Sequence, residues 1–126
     1  MNSTHAILVT ATEELLKLTD QIEAIFDEVK ADKQERDFFE EVRPFAESAQ
    51  NLSDKWVEMA KEYVMLEKPK HIYREQIEQA GELVSTCSVQ AFFPSTSLKR
   101  FKNQLQSIRY TLEGLLTHLK DNLHLS

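Results

Sequence analysis

Four histidines (His5, His71, His118, His124), one cysteine (Cys87) and 21 acids are the groups in this chain that could hold a metal, carry a phosphoryl group or attack an electrophile. A carboxylate-bridged di-iron centre in a helical bundle takes a glutamate from each of two helices and Glu-x-x-His from the other two. No histidine here has a glutamate three residues before it, so that centre has no ligand set. Histidine phosphotransfer domains resemble His-x-x-Lys-Gly. The segment THLKDN (117–122) places Lys120 only two residues beyond His118, and no glycine follows. His118 therefore reads as a solvated histidine in a last helical turn, where positive charge suits the helix dipole. Cys87 falls on an apolar stripe, where a thiol behaves as a small hydrophobe with a raised pKa. Glycine-rich phosphate loops, nucleophile elbows and zinc-ligand spacings do not occur. The expectation is a non-enzymatic protein with no catalytic residue, no cofactor and no metal.

One stretch does concentrate polar chemistry. FFPSTSLKRFKNQL (92–105) sets Ser95, Thr96 and Ser97 at a helix start, where free backbone N–H groups favour an anion. Lys99, Arg100 and Lys102 follow, placing positive charge where the dipole disfavours it. Something should compensate. The expected arrangement is intramolecular pairing with Glu35, Asp37, Glu40 and Glu41, which antiparallel topology brings to the same end. A bound phosphate or an acidic partner on these six residues is the other reading. Phe92 and Phe93 are expected to cap the open end of the core. With no second aromatic-basic patch, there is no track for nucleic acid.

The elements that position these groups follow from apolar spacing. Leu8, Ala11, Leu15, Leu18, Ile22, Ile25 and Val29 step by threes and fours. So do Phe38, Val42, Phe45, Ala49, Leu52, Trp56, Met59, Tyr63 and Leu66. Tyr73, Ile77, Ala80, Val84, Cys87 and Ala91 form a third stripe, and Leu98, Phe101, Leu105, Ile108, Leu112, Leu115 and Leu119 a fourth. These are four amphipathic helices, and every acid lies off the stripes. Ser3 or Thr4 can cap the first helix, Asp37 or a nearby residue the second, and one of Ser95, Thr96 and Ser97 the fourth. Lys68-Pro69 ends the second helix, because a residue before proline avoids helical dihedrals, and Pro94 ends the third. Connections of about four to six residues make successive helices antiparallel neighbours. The fold class is all-α: a four-helix up-and-down bundle, its second helix kinked near Pro44. Gly81 is expected on the surface rather than at a close helix contact.

The chain's 126 residues suit one domain, 1–126, with 41% apolar and 29% charged residues. No stretch approaches the ~18 apolar residues a membrane span requires. The N-terminus lacks the basic segment and apolar run of a signal peptide, and a single cysteine suits a reducing compartment. The expected location is the cytoplasm. The net charge of −6 divides into −9 over residues 1–67 (16 acids, 7 bases) and +3 over 68–126 (5 acids, 8 bases). The acidic front half speaks against general nucleic-acid binding.

Several apolar residues lie off the stripes: Val9, Leu16, Val64, Met65, Leu116 and Leu123. The topology brings them toward one half of the bundle, and a contiguous apolar patch there would mark an interface. HIYREQ (71–76), with His71 and Tyr73, joins them as a candidate contact surface. The expected partner is another protein or a second copy of the chain.

DFFEEVRPFA (37–46), Trp56, KPKHIYREQI (68–77), QAFFP (90–94) and RFKNQLQSIRYTL (100–112) together resemble the YppE-like proteins, small uncharacterised proteins of Gram-positive bacteria. The resemblance covers essentially the whole chain. It implies a four-helix up-and-down bundle in a cytosolic bacterial setting, with no established activity and no catalytic residue to carry over. The functional expectation is a protein-interaction or self-associating bundle. The alternative is a small-molecule or anion-binding bundle that uses the basic start of the fourth helix.

Overall fold

The structure, a computed structural model, describes residues 3–125, with side chains over 5–121. Four long α-helices, α1 (Ser3–Asp32), α2 (Arg43–Glu67), α3 (Arg74–Gln90) and α4 (Leu98–Leu125), account for most of it, and no strand occurs among the described residues. Each helix packs on the next, and α4 closes back on α1. The α2–α3 and α1–α4 contacts are the most extensive, and α2 and α4 occupy opposite corners. The all-α antiparallel bundle read from the spacing is the observed architecture. The caps expected at Ser3 or Thr4, and Leu123, lie outside the described side chains.

The kink near Pro44 has a specific form. Phe38–Val42 makes a π-helical turn that runs directly into α2. Val42 N–H donates to Asp37 O at 3.1 Å, and Arg43 N–H donates to Phe38 O, each five residues back. Within a regular α-helix the Pro44 ring would strike the carbonyl four residues earlier. Widening the turn just before Pro44 relieves that clash while the backbone stays right-handed. Asp37 caps the turn as expected, accepting from Glu40 N–H at 2.8 Å.

The connections span residues 33–37, 68–73 and 91–97, the last one residue longer than the spacing suggests. Lys33 (φ 57°) and Lys68 (φ 48°) end α1 and α2 in the left-handed conformation. Their N–H groups donate to Val29 O at 2.7 Å and Val64 O at 3.0 Å, satisfying terminal carbonyls. Thr96 closes the last connection, donating its hydroxyl to Gln90 O at 2.8 Å. Ser97 is the residue that faces into α4, accepting from Arg100 N–H at 3.4 Å.

In α3 and α4 the buried apolar side chains are those of the stripes, joined in α3 by Gly81 and Ser88, while Tyr73 and Leu98, at the helix starts, are exposed. Two corrections apply to α1 and α2. Phe26, not Ile25, is fully buried in α1, and its ring stacks on Phe101 with centroids 4.1 Å apart. In α2 the innermost residues are Ala49, Ser53, Trp56, Ala60 and Tyr63, leaving Leu52 and Met59 on the flanks and Phe38 and Leu66 exposed. Gly81 is also corrected: it is buried against α2, not on the surface. A Cβ there would collide with Val57 Cγ2 and lie 3.2 Å from Ser53 Oγ.

The few buried polar side chains are hydroxyls, each satisfied. Thr12 donates to Leu8 O at 2.7 Å and accepts from Trp56 Nε1 at 3.0 Å. Thr19 donates to Leu15 O at 2.7 Å, Ser53 to Gly81 O at 3.1 Å, and Ser88 to Ser85 O at 2.7 Å. Such bonds let the helices bury a polar atom without the desolvation cost of an unpaired one.

Candidate functional site

The basic start of α4 does not meet the acids expected to balance it. Lys102 turns toward α1, 2.7 Å from Glu23 and 2.8 Å from Asp27. Arg109, two turns on, reaches Glu23 at 2.7 Å and Asp20 at 2.9 Å. The Lys102 hydrogen bond holds the Glu23 carboxyl below its ordinary pKa, against the opposing effect of partial burial and with further help from Arg109. The connection before α2 uses its charges locally. Arg36 folds back on Asp32 at 2.6 Å and Glu28 at 3.7 Å, and Asp37 is spent on its cap. Pairing of Glu35, Asp37, Glu40 and Glu41 with Lys99, Arg100 and Lys102 is therefore corrected. Lys102 and Arg109 are neutralised, but by α1.

Lys99 and Arg100 make no ion pair among the described residues. Together with Ser97 they line a shallow groove of about 580 Å³ between α3 and α4, whose other walls include Gln79, Asn103 and Gln104. The structure brings three of the six candidate anion residues to that groove. It sends Lys102 to the opposite side of α4 and keeps Ser95 and Thr96 in the connection. Two cations among amide and hydroxyl donors can hold an anion. They supply no nucleophile, because Cys87, behind the groove with Sγ 3.7 Å from Gln104 Oε1, is buried and its pKa is pushed up to about 12. At neutral pH the thiolate, which is the reactive form, is absent.

The candidate interface residues separate in the same way. Val64 and Met65 share a groove of about 500 Å³ with Leu66, Lys61, Glu62 and Arg74 at the end where α2 finishes. Val9 and Leu16 pack on the flank of the core, and Leu116 is half-buried. His71, in a left-handed conformation (φ 65°), lines a second groove with Ile72, Gln76 and Tyr110. Tyr73 is exposed at the first turn of α3, where its N–H donates to the Gln76 side chain at 2.7 Å. Nearby, the Tyr63 hydroxyl lies 2.6 Å from His118 Nδ1, and His5 stands edge-on to the Tyr63 ring with centroids 5.1 Å apart. His118 is thus a hydrogen-bonded partner of a buried tyrosine rather than a free surface group.

Sequence reasoning missed one surface. Phe38 and Phe39, packed edge to face with centroids 5.3 Å apart, project from the π-helical turn and are 52% and 72% exposed. The apolar spacing places Phe38 first in a core stripe, and the structure turns it outward. At the same end Phe92 is buried against Phe45, as expected of a core cap, whereas Phe93 is 44% exposed. The signal available in the sequence was the pairing of two adjacent phenylalanines with Pro44, which disturbs the turn before it. No group of three or more His, Cys, Asp or Glu side chains placed to hold a metal occurs among the described residues. No helix among them is long and apolar enough to cross a membrane.

The chain is 29% identical over 108 residues to the uncharacterized protein YppE of Bacillus subtilis, an overlap covering 86% of this chain and 88% of that protein. A crystal structure of a protein of unknown function from Listeria innocua superposes with a TM-score of 0.94 at 26% identity, covering 98% of this chain and 99% of that one. The crystal structure of Bacillus subtilis YppE gives a TM-score of 0.88 at 27% identity over 97% and 98% of the two chains. The YppE-like resemblance and the helix layout it implied both hold. A bacterial domain of unknown function, DUF1798, matches residues 12–119, and the chain belongs to that family.

Proposed function

We propose that this protein is a non-enzymatic, cytosolic helical bundle that works by binding protein surfaces. The observation that carries the reading is the placement of large apolar side chains in water at the two ends of the bundle. Phe38 and Phe39 stand at one end, and Met65 (64% exposed) and Leu66 (66%) at the other. Exposed apolar side chains are ordinary when scattered, but adjacent pairs at helix ends make anchors of the size that protein interfaces use. The buried polar groups, by contrast, are hydroxyls hydrogen-bonded within the bundle, a poor starting point for catalysis. The test is capture from a lysate of a Gram-positive bacterium with the wild-type chain, Phe38→Ser/Phe39→Ser and Met65→Ser/Leu66→Ser, followed by mass spectrometry. A protein retained by the wild type and lost with one variant is the expected result. Retention that depends on neither pair overturns the reading.

A second reading draws on the groove beside Ser97, Lys99 and Arg100, where two cations lack ion-pair partners. It makes the protein an anion-binding or small-molecule-binding bundle. A ligand bound only by the folded state must raise the melting temperature. Titration with inorganic phosphate and nucleotides, matched for ionic strength, should shift the wild type and leave Lys99→Ala/Arg100→Ala unmoved.

A further inference from the structure

At the end of the bundle that carries the π-helical turn, two patches of opposite charge stand at opposite corners, and each holds exposed apolar residues. One corner, at the start of α2, presents Phe38 and Phe39 flanked by Glu35 and Glu40. The other, at the start of α4, presents Leu98 (56% exposed) with Lys99 and Arg100, and Phe93 just before it. Among the described residues Glu35, Glu40, Lys99 and Arg100 form no ion pair, while Lys102, Arg109 and Arg36 are each held by two acids. The bases and acids that were expected to meet each other inside one molecule are separated by the width of the bundle, because α2 and α4 are diagonal.

We propose that this end is a self-association surface on which a second copy of the chain docks head to head about a two-fold axis. A two-fold interface is self-complementary: if one patch contacts another, the reverse contact is made as well. An axis lying across the end face, between the α2 and α4 corners, exchanges the two corners. The acidic phenylalanine corner of each copy then meets the basic Leu98 corner of its partner, twice over. Four phenylalanine side chains, Phe38 and Phe39 from each copy, leave water, and Lys99 and Arg100 gain the carboxylates they lack. An identical partner satisfies both corners at once, which a partner of single charge cannot do. This inference rests on the protein-binding reading and narrows it to one surface and one partner.

Sedimentation equilibrium of the full chain tests it, with two charge-reversed variants, Lys99→Glu/Arg100→Glu and Glu35→Lys/Glu40→Lys. The wild type should show a concentration-dependent dimer that weakens with added salt, since exposed charge pairs are screened. Each variant alone sets like charges against each other at both contacts and should weaken the dimer by about tenfold or more. Mixed in equal amounts the two variants are complementary at both contacts, so the mixture should regain the wild-type affinity. That recovery also answers any loss caused by misfolding. A wild type that is monomeric throughout, a dimer indifferent to both variants, or a mixture that fails to recover overturns the proposal. A monomeric wild type that still captures a protein through Phe38 and Phe39 would remove self-association and leave the broader protein-binding reading standing.

Discussion

Between α1 and α4 the bundle is filled by large side chains. Phe26 stacks on Phe101, flanked by Leu15, Ile22, Leu105 and Leu112, all fully buried. Along the rim of that seam Lys102, Arg109 and Lys120 reach across to Glu23, Asp27, Asp20 and Glu13 at 2.7–3.3 Å. Between α2 and α3 the contact is made by small residues. Gly81 lies under Val57, Ser53 donates to its carbonyl oxygen, and one ion pair, Lys61–Glu78 at 2.9 Å, crosses the rim. The two seams show two ways of joining antiparallel helices, by filling the gap and by closing it. They should therefore fail in opposite ways, one when volume is removed and the other when it is added.

The largest effect is expected on the filled seam. Phe101→Ala removes a fully buried ring and the face on which Phe26 stacks, and should cost about 3–5 kcal/mol in chemical denaturation. Tyr110→Ala, nine residues along the same helix at 76% exposure, should change stability by less than about 0.5 kcal/mol. A loss below about 1 kcal/mol at Phe101 would mean that α1 and α4 can collapse together as α2 and α3 have done.

The closed seam should respond to an added methyl group. Gly81→Ala replaces glycine by the best helix former, which by propensity alone would stabilise α3 by about 1 kcal/mol. The collision with Val57 should reverse that gain and leave a net loss of about 1–3 kcal/mol, the usual range for an overpacked contact. The double variant Gly81→Ala/Val57→Ala removes the colliding methyl and should be less destabilised than the sum of the single variants. Strict additivity would place the strain elsewhere.

The same contrast explains which parts of the molecule were legible in the sequence. The stripes of α3 and α4 read correctly through their interiors because large apolar residues lie where the helix faces inward. In α2 the rule that the larger residue faces the core selects Leu52 and Met59, whereas the structure buries Ser53 and Ala60. Close approach demands small inner residues, and composition does not reveal which partner supplies the room. In α1 a strict seven-residue repeat points to Ile25. A straight helix drifts by about 20° per heptad against that repeat, and Phe26, five turns beyond Leu8, comes inward instead. A kink followed from Pro44, but its π-helical form and its effect on Phe38 and Phe39 needed the backbone. Charge partners were least legible. The sequence places Lys102 and the connection acids at the same end, but it does not fix whether a side chain turns toward α1 or away from it.

The smallest effect lies on the rim, and it has a pH signature. Glu23 accepts from both Lys102 and Arg109, so it is the acid on which the α1–α4 charges converge. Its carboxyl pKa is lowered, chiefly by the Lys102 hydrogen bond, opposed by partial burial and aided by Arg109. A carboxylate with a lowered pKa in the folded state stabilises above its ordinary value, and that stability is lost as pH falls through the folded-state value. Glu23→Gln keeps the shape and removes the charge. At pH 7 it should cost about 1 kcal/mol, since these side chains are partly exposed and their pairs are screened. Urea denaturation of wild type and variant should show this difference shrinking below the ordinary pKa of 4.5, as Glu23 becomes protonated in the wild type too. Glu78→Gln on the α2–α3 rim, where the carboxyl is lowered chiefly by the Lys61 hydrogen bond and aided by the charge of Arg74, should show the same sign and a smaller loss. A Glu23 difference that persists undiminished at low pH would assign the α1–α4 rim to packing rather than charge. The two seams would then differ in volume alone.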